Sequence, residues 1–152
     1  MYEALVDEAY NHGIRVEERE LGKIQGLYGE NIIWINKNLD TEAEKTSIFA
    51  EEMGHHFTSH GNITNLSVLK NRKQEHIARR WAVKKLIPLN KLVDAYKNFC
   101  VSKHEIAEYL NVTEHFLDMG ISYYREIYGT SVRVDQHSVL HFNPLYVEEK
   151  EG

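Results

Sequence analysis

Residues 41–60 have the sequence Thr-Glu-Ala-Glu-Lys-Thr-Ser-Ile-Phe-Ala-Glu-Glu-Met-Gly-His-His-Phe-Thr-Ser-His. Thr41 and Glu44 make a capping box, in which each side chain can accept a hydrogen bond from a free backbone N–H at the start of a helix. We therefore predict a helix that begins here, runs to about His60 and ends before Gly61.

Two side chains of this helix, Glu51 and His55, have the spacing of metal ligands. Residues at positions i and i+4 lie about 40° apart around a helix and one turn apart along it, so both can bind one ion. Glu52 flanks this pair, where the zinc protease pattern HExxH carries its general base. The pattern here is EExxH. A solvated helix face or an ordinary i,i+4 pair is the alternative interpretation.

A further carboxylate, Glu75, lies in the middle of the apolar stripe of the next helix, which we predict over about 71–87, ahead of Pro88. A buried carboxylate costs several kcal/mol unless it meets a cation, a cluster of donors or a metal. Glu75 is therefore either a metal ligand or the partner of Arg79, which lies about 40° away on the same helix.

The pattern along the whole chain predicts an α+β fold, with a small, mainly antiparallel sheet followed by a helical bundle that carries the EExxH helix. The sheet comprises a short strand at 14–16 and a hairpin of strands 24–28 and 32–35, joined at Gly29-Glu30-Asn31. Other helices are predicted over 2–11, 89–99, 103–110 and 113–128, and one or two strands within 132–142. We expect one domain over 1–152: sheet and metal-site helices in 1–100, a helix-turn-helix-like part in 101–129, and C-terminal strands and a tail in 130–152.

The composition is typical of a soluble globular protein, with 152 residues of which 42% are hydrophobic and 27% charged. The only cysteine, Cys100, excludes an internal disulfide and a cysteine-built zinc finger, and indicates a reducing compartment. No apolar run approaches the ~18 residues of a membrane helix, and the first residues lack the basic, then apolar, order of a secretory leader. We expect a cytoplasmic protein with no membrane partner.

The charge pattern argues against a dedicated nucleic-acid binder, because the net charge is −5. Residues 70–91 differ from this negative net charge, since they contain eight Lys or Arg and one Glu. We interpret them mostly as a solvated helix face. Residues 101–128 look like a helix-turn-helix but carry two basic and five acidic side chains. Negative charge repels phosphate, so we interpret this part as a scaffold or a docking surface for a protein.

Several segments, together with the EExxH helix, form a combination that is more specific than the motif alone: 26–28 with 32–36, 44–45 with 49–59, 71–75 with 78–82 and 86–88, then 107–110, 112–113, 116–117, 123–125 and 128–129. In this combination the sequence resembles the ImmA/IrrE family of small intracellular zincin-like metallopeptidases, especially the type found beside repressor genes in phages and mobile elements. The resemblance spans nearly the whole chain.

The resemblance implies a zinc site between two successive helices, with Glu51, His55 and Glu75 as ligands and Glu52 as the general base. Glu51 stands where most of the family has a histidine, although Glu is usual in the phage-type branch. The additional negative ligand makes the bound ion a weaker Lewis acid. Either water activation is weaker here, or the metal is a divalent ion other than zinc.

The remaining histidines are not assigned to the metal. His56 lies about 100° from His55 unless a kink at Gly54 redirects it, and His60 lies at the helix end, so both are interpreted as surface residues. His137 and His141 lie far along the chain, where one of them could hydrogen-bond a reaction intermediate.

The function implied is that of an endopeptidase in which water activated by Glu52 attacks a backbone carbonyl. Its substrate would be a helix-turn-helix repressor, whose cleavage derepresses phage or mobile-element genes, and an extended substrate would add to the edge of the 24–36 hairpin. Two alternatives are a non-catalytic regulator that displaces the repressor, which Glu51 favours, and, ranked last, direct nucleic-acid binding through residues 70–91.

Overall fold

The computed structural model describes residues 1–58 and 68–150, and the side chains of all of these except 68–71. Within these ranges the chain forms six helices and six strands. Their bounds are α1 Tyr2–Asn11, β1 Arg15–Arg19, β2 Gly26–Gly29, β3 Ile32–Asn36, α2 Glu42–Thr58, α3 Val68–Leu86, α4 Leu89–Lys97, α5 Lys103–Leu110, α6 Glu114–Tyr128, β4 Ser131–Arg133, β5 Ser138–Phe142 and β6 Leu145–Glu149.

The predicted α+β class is confirmed, since a small sheet precedes the main run of helices. α1 has the predicted bounds, whereas α3 begins at Val68 rather than about 71. Residues 59–60, the predicted end of α2, lie outside the described residues. Among the described residues, no helix is both long and apolar enough to cross a bilayer.

Backbone packing divides the chain into two compact units, Met1–Ala82 and Val83–Gly152. Each unit contains one of the two three-stranded sheets, with strand orders β1-β3-β2 and β4-β5-β6. The boundary lies within α3. The organisation as one domain with three parts stays a prediction.

In the first unit, β2 and β3 form the predicted hairpin, and α2 packs on both strands. Glu30 and Asn31 at its tip both have positive φ, 51° and 65°. This is the backbone conformation of the two-residue turns whose twist matches that of a hairpin. β1 pairs with β3 in parallel, a contact that the local pattern does not predict. The three other strand pairings of the structure are antiparallel.

Asn36, a buried residue at the end of β3, fixes the segment that leads into β2. Its Nδ2 donates hydrogen bonds to the carbonyl oxygens of Gly22 and Ile24, at 3.1 and 2.9 Å, and its Oδ1 accepts one from the backbone N–H of Asn38 at 2.9 Å. Because buried amides lose free energy when unpaired, these three bonds hold the hairpin entry in one place.

In the second unit, α4 and α6 pack on the sheet β4-β5-β6, and α5 packs on α4 and α6. The predicted capping box at Ser102 is present, with hydrogen bonds of 3.1 and 3.2 Å between Ser102 and Glu105. β6 is a third strand beyond the one or two predicted, paired antiparallel with β5. The phenol of Tyr124 donates a buried hydrogen bond of 3.0 Å to the carbonyl oxygen of Ile87.

Candidate active site

The candidate site lies in the first unit, where α2 carries His55 and α3 carries Glu75. His55 is 6% exposed, and its Nε2 lies 3.1 Å from Oε1 of Glu75. The alternative interpretation paired Glu75 with Arg79. In the structure His55 is its hydrogen-bond partner, and the charge of Arg79 makes only a smaller contribution to the lowered pKa of Glu75.

Gly54 explains how the two helices approach closely enough for this contact. A Cβ at position 54 would overlap the carbonyl oxygen of Ala78 on α3 and lie 3.1 Å from its Cα. Only glycine therefore fits, and the two backbones touch one residue before His55 and three residues after Glu75. α2 continues through Gly54 without ending there, so the glycine permits helix packing and does not terminate the helix.

Glu52 lies beneath strand β2. A Cβ at Gly26 on that strand would be 3.3 Å from Cγ of Glu52 and 2.7 Å from Cγ2 of Ile48, so the absence of a side chain at Gly26 leaves room for both. The pKa of Glu52 is raised to about 7, chiefly by burial, with smaller contributions from the carboxylates of Glu75 and Glu51 and an opposing effect of His55.

His55 and Glu75 shift each other's pKa in opposite directions. Burial alone would lower the pKa of His55, but the hydrogen bond and charge of Glu75, with the charges of Glu52 and Glu51, outweigh burial and raise it. The hydrogen bond from His55 lowers the pKa of Glu75, although burial opposes this. Both shifts favour the charged pair, as expected for an ion pair whose partners touch.

Residues 9–122 match the family model for peptidase M78, described as the IrrE N-terminal-like domain. The chain belongs to this family. The resemblance seen in the sequence is thereby confirmed, and the M78 family is one of metallopeptidases, which implies a metal cofactor. A search of curated proteins finds no match.

The donors of this M78 chain fit a divalent cation in part. Two ligand atoms that bind tetrahedral zinc at about 2.0–2.1 Å lie roughly 3.3 Å apart, close to the 3.1 Å between His55 Nε2 and Glu75 Oε1. The cluster also has three carboxylates, those of Glu51, Glu52 and Glu75, acting on one imidazole. A divalent cation would neutralise this excess of negative charge.

Glu51 is the predicted ligand that does not join the pair. Among the side chains that the structure describes, no group of three or more His, Cys, Asp or Glu has a metal-binding arrangement. The structure therefore brings together His55 and Glu75, with Glu51 close enough for its charge to raise the pKa of His55. The three-ligand set stays a prediction.

Tyr28 was not identified from the sequence as a site residue. Its hydroxyl lies 2.7 Å from Nδ1 of His56, and the two rings stack with centroids 5.4 Å apart. His56 of α2, interpreted from the sequence as a surface residue, is thus half-buried against the hairpin. Alternation along β2 could have indicated this, because Gly26 and Tyr28 share the face toward α2.

Three further histidines were considered from the sequence, and two of them have local partners. His60 is not among the described residues. In the second unit, His137 Nδ1 lies 3.2 Å from the carbonyl oxygen of Lys150, and His141 Nε2 lies 3.0 Å from Oε1 of Glu148. These contacts account for both side chains, and the proposed contact of one of them with a reaction intermediate stays a prediction.

Gly54→Ala should destabilise the protein, whereas Gly→Ala within a helix is ordinarily stabilising by about 1 kcal/mol. The added methyl must push α2 away from Ala78, and such overpacking costs about 1–3 kcal/mol. After the helix-propensity gain is subtracted, the free energy of unfolding, measured by urea denaturation, should fall by about 1 kcal/mol. Unchanged or increased stability would show that the two backbones are not in contact.

Glu52→Gln should alter the pH dependence of stability in the presence of a chelator. A carboxyl whose pKa rises from 4.5 to about 7 on folding binds its proton more tightly in the folded state, so stability falls as pH rises through that window. Glutamine removes this loss. From about pH 5 to about pH 8, the free energy of unfolding of the variant should rise by about 1–3 kcal/mol relative to that of the parent. A difference between the two proteins that stays constant with pH would contradict the shift.

Proposed function

We propose that this M78 chain is a metal-dependent endopeptidase that cleaves a helix-turn-helix repressor. The observation that carries the proposal is the contact of His55 with Glu75, beside Glu52. Glu52 precedes His55 by three residues, which is the spacing of the general base and a metal ligand in zinc proteases. Family membership supports the peptidase class. The repressor as substrate rests on the resemblance of the sequence to the phage-type branch.

Zinc is the metal proposed, with Glu51, His55 and Glu75 as its ligands and another divalent ion as the alternative. Such an ion, when bound, supplies Lewis acidity that polarises a carbonyl and lowers the pKa of a water molecule. Glu51 lies one turn before His55 on α2, so a change of its side-chain rotamer is the movement needed to complete the set.

Glu52 is proposed to move the protons. Its carboxylate takes a proton from the attacking water, whose oxygen bonds to the carbonyl carbon of the substrate. The same proton then passes to the amide nitrogen as the C–N bond breaks, which leaves one new carboxyl and one new amine. A pKa of about 7 suits this exchange, because a general base works best when its pKa is near the working pH.

The free edge of β2 is proposed to hold the substrate as an added strand. β2 is an outer strand of the first sheet, and its residues Gly26 and Tyr28 lie over Glu52 and His56 of α2. An extended peptide hydrogen-bonded to this edge would run alongside α2, with its backbone carbonyls near the carboxyl of Glu52.

A substrate that binds DNA also places the protein in the compartment that holds the DNA, in agreement with the expected cytoplasmic location.

A non-catalytic regulator is the second candidate. Two observations favour it: the described side chains do not form a three-ligand metal group, and Nδ1 of His55 is buried with no hydrogen-bond partner among them. A metal-binding histidine ordinarily donates its second ring N–H to such a partner. In this case the chain would bind the repressor and release it from DNA uncut.

A cleavage assay with the repressor that is encoded beside the gene for this chain distinguishes these two functions. The parent chain with zinc or manganese should yield two fragments by mass spectrometry. Glu52→Gln, which cannot accept the proton, should lower kcat by at least about a hundredfold. Addition of a chelator should abolish cleavage by the parent chain. Equal cleavage in all samples would reject the enzymatic function, and release of operator DNA with the repressor intact would select the regulator.

Gly26→Ala should lower activity much more than Gly29→Ala, its matched control on the same strand. A Cβ at position 26 would crowd Ile48 and Glu52, whereas one at position 29 meets its nearest neighbour, Trp34, at 3.9 Å. We expect a loss of at least about tenfold in kcat/KM for Gly26→Ala, since small displacements of a catalytic group are costly. Equal rates for the two variants would contradict the placement of Glu52 beneath Gly26.

A further inference from the structure

The loop after α4 exposes an unusual amount of apolar surface in the second unit. Phe99 is 87% exposed and Val101 is 70% exposed, and both lie between α4 and α5. Tyr109 on α5 is 47% exposed, and its hydroxyl accepts a 3.1 Å hydrogen bond from Asn98, the residue before Phe99. Three large apolar side chains therefore lie around one helix junction, and grouped exposure of this kind marks an interaction site.

Phe99 also has a backbone conformation that favours glycine. Its φ is +68°, and it follows Asn98, the C-cap of α4. The backbone N–H groups of Phe99 and Cys100 donate to the carbonyl oxygens of Tyr96 and Ala95, at 2.9 and 3.1 Å. This is the Schellman pattern of helix ends, in which glycine is usual at the position that Phe99 occupies. The chain thus accepts backbone strain and apolar exposure at the same residue.

The surface is acidic on the α5 side of these side chains, whereas Lys97 precedes them at the end of α4. Glu105, Glu108 and Tyr109 have i, i+3 and i+4 spacing, so they share the outer face of α5. Residues 101–128 as a whole carry a net charge of −3, and the 2.8 Å ion pair of Lys103 with Asp118 already neutralises one of their two cations.

A groove of about 470 Å³ opens next to Val101. Its apolar lining comprises the buried Ile106 and Phe142, Pro144 from the turn between β5 and β6, and Leu145 at the start of β6. Lys103, Asp118 and Arg125 supply its charged lining. This volume lies in the range of binding sites for single side chains and small ligands. The junction therefore offers both exposed apolar side chains and a groove that can receive one from a partner.

We propose that this Phe99 surface, comprising Phe99, Val101, Tyr109, Glu105 and Glu108, docks a basic protein. Charge selects the partner, because an acidic surface repels nucleic acid and a second copy of itself but attracts a cationic protein. The inference rests on the proposed function in one respect: it identifies the basic protein as the repressor, which binds through its DNA-binding domain. Docking there competes with operator DNA for the same cationic residues.

Phe99→Gly tests the proposal because it has opposite effects on stability and on binding. Glycine adopts positive φ without strain, so the melting temperature should rise by a few degrees. Binding of the purified repressor, measured by titration calorimetry with the Glu52→Gln chain to prevent cleavage, should weaken at least tenfold. A structural role for Phe99 would instead lower the melting temperature. Binding equal to that of the parent would overturn the proposal.

Two further variants test the charge and the location. Glu108→Lys, at a carboxylate whose side chain is 78% exposed, should weaken binding severalfold and flatten its dependence on salt. Tyr10→Ser removes an aromatic side chain that is 56% exposed on α1, and should leave binding unchanged. A parent chain that binds no repressor, or that forms a dimer abolished by Phe99→Gly in sedimentation, would overturn the proposal.

Kinetics with Glu52 intact separate this inference from the proposed function. Phe99→Gly should raise KM for the repressor about tenfold and leave kcat unchanged. Binding through Phe99 without cleavage under any metal condition would reject the peptidase and retain the docking surface. Cleavage with the same KM for both chains would reject the docking surface and retain the peptidase.

Discussion

The backbone contact of Gly54 with Ala78 is the constraint on which the candidate site depends. The backbones of α2 and α3 meet at Gly54 and Ala78, and this close approach lies within one turn of both His55 and Glu75, whose side chains touch. The stacked rings of Phe57 on α2 and Trp81 on α3, with centroids 5.1 Å apart, contribute apolar contact to this packing, while the missing side chain at Gly54 sets how far it can proceed. The polar pair is therefore a consequence of backbone sterics, since its charges would cost free energy if the helices were farther apart and the groups unpaired.

The hairpin supplies the second boundary of the site, again through glycine. Asn36 fixes the entry to β2, and Gly26 then lets that strand lie directly on Glu52 and Ile48. This close cover helps to shield the half-buried Glu52 from water, and burial is the largest contribution to its raised pKa. Segment 26–28 and the described part of segment 49–59, which carry much of the family resemblance, are thus the two sides of one contact.

Much of the fold could be predicted because its signals are local. The ends of α1, the capping box at Ser102 and the hairpin turn each depend on a few consecutive residues, and the structure contains all three. The parallel pairing of β1 with β3 and the contact between Tyr28 and His56 join distant residues, so a single sequence gives little signal for them. The site divides in the same way. The position of Glu75 in an apolar stripe predicted a buried carboxylate that needs a partner. The partner is present, although the side chain of Glu75 is 47% exposed, and the choice of His55 over Arg79 depended on the distance between two helices.

Glu51 has two opposing effects in the proposed site. In place of a neutral histidine, it cancels one more unit of the charge of a divalent ion, so the ion withdraws less electron density from a bound ligand. The same carboxylate is among the charges that raise the pKa of Glu52 above its ordinary value, although burial contributes most. A carboxylate with a higher pKa is a stronger proton acceptor. The acidic residue therefore weakens the Lewis acid and strengthens the neighbouring base, and for this reason a glutamate in the usual histidine position is compatible with hydrolysis near neutral pH.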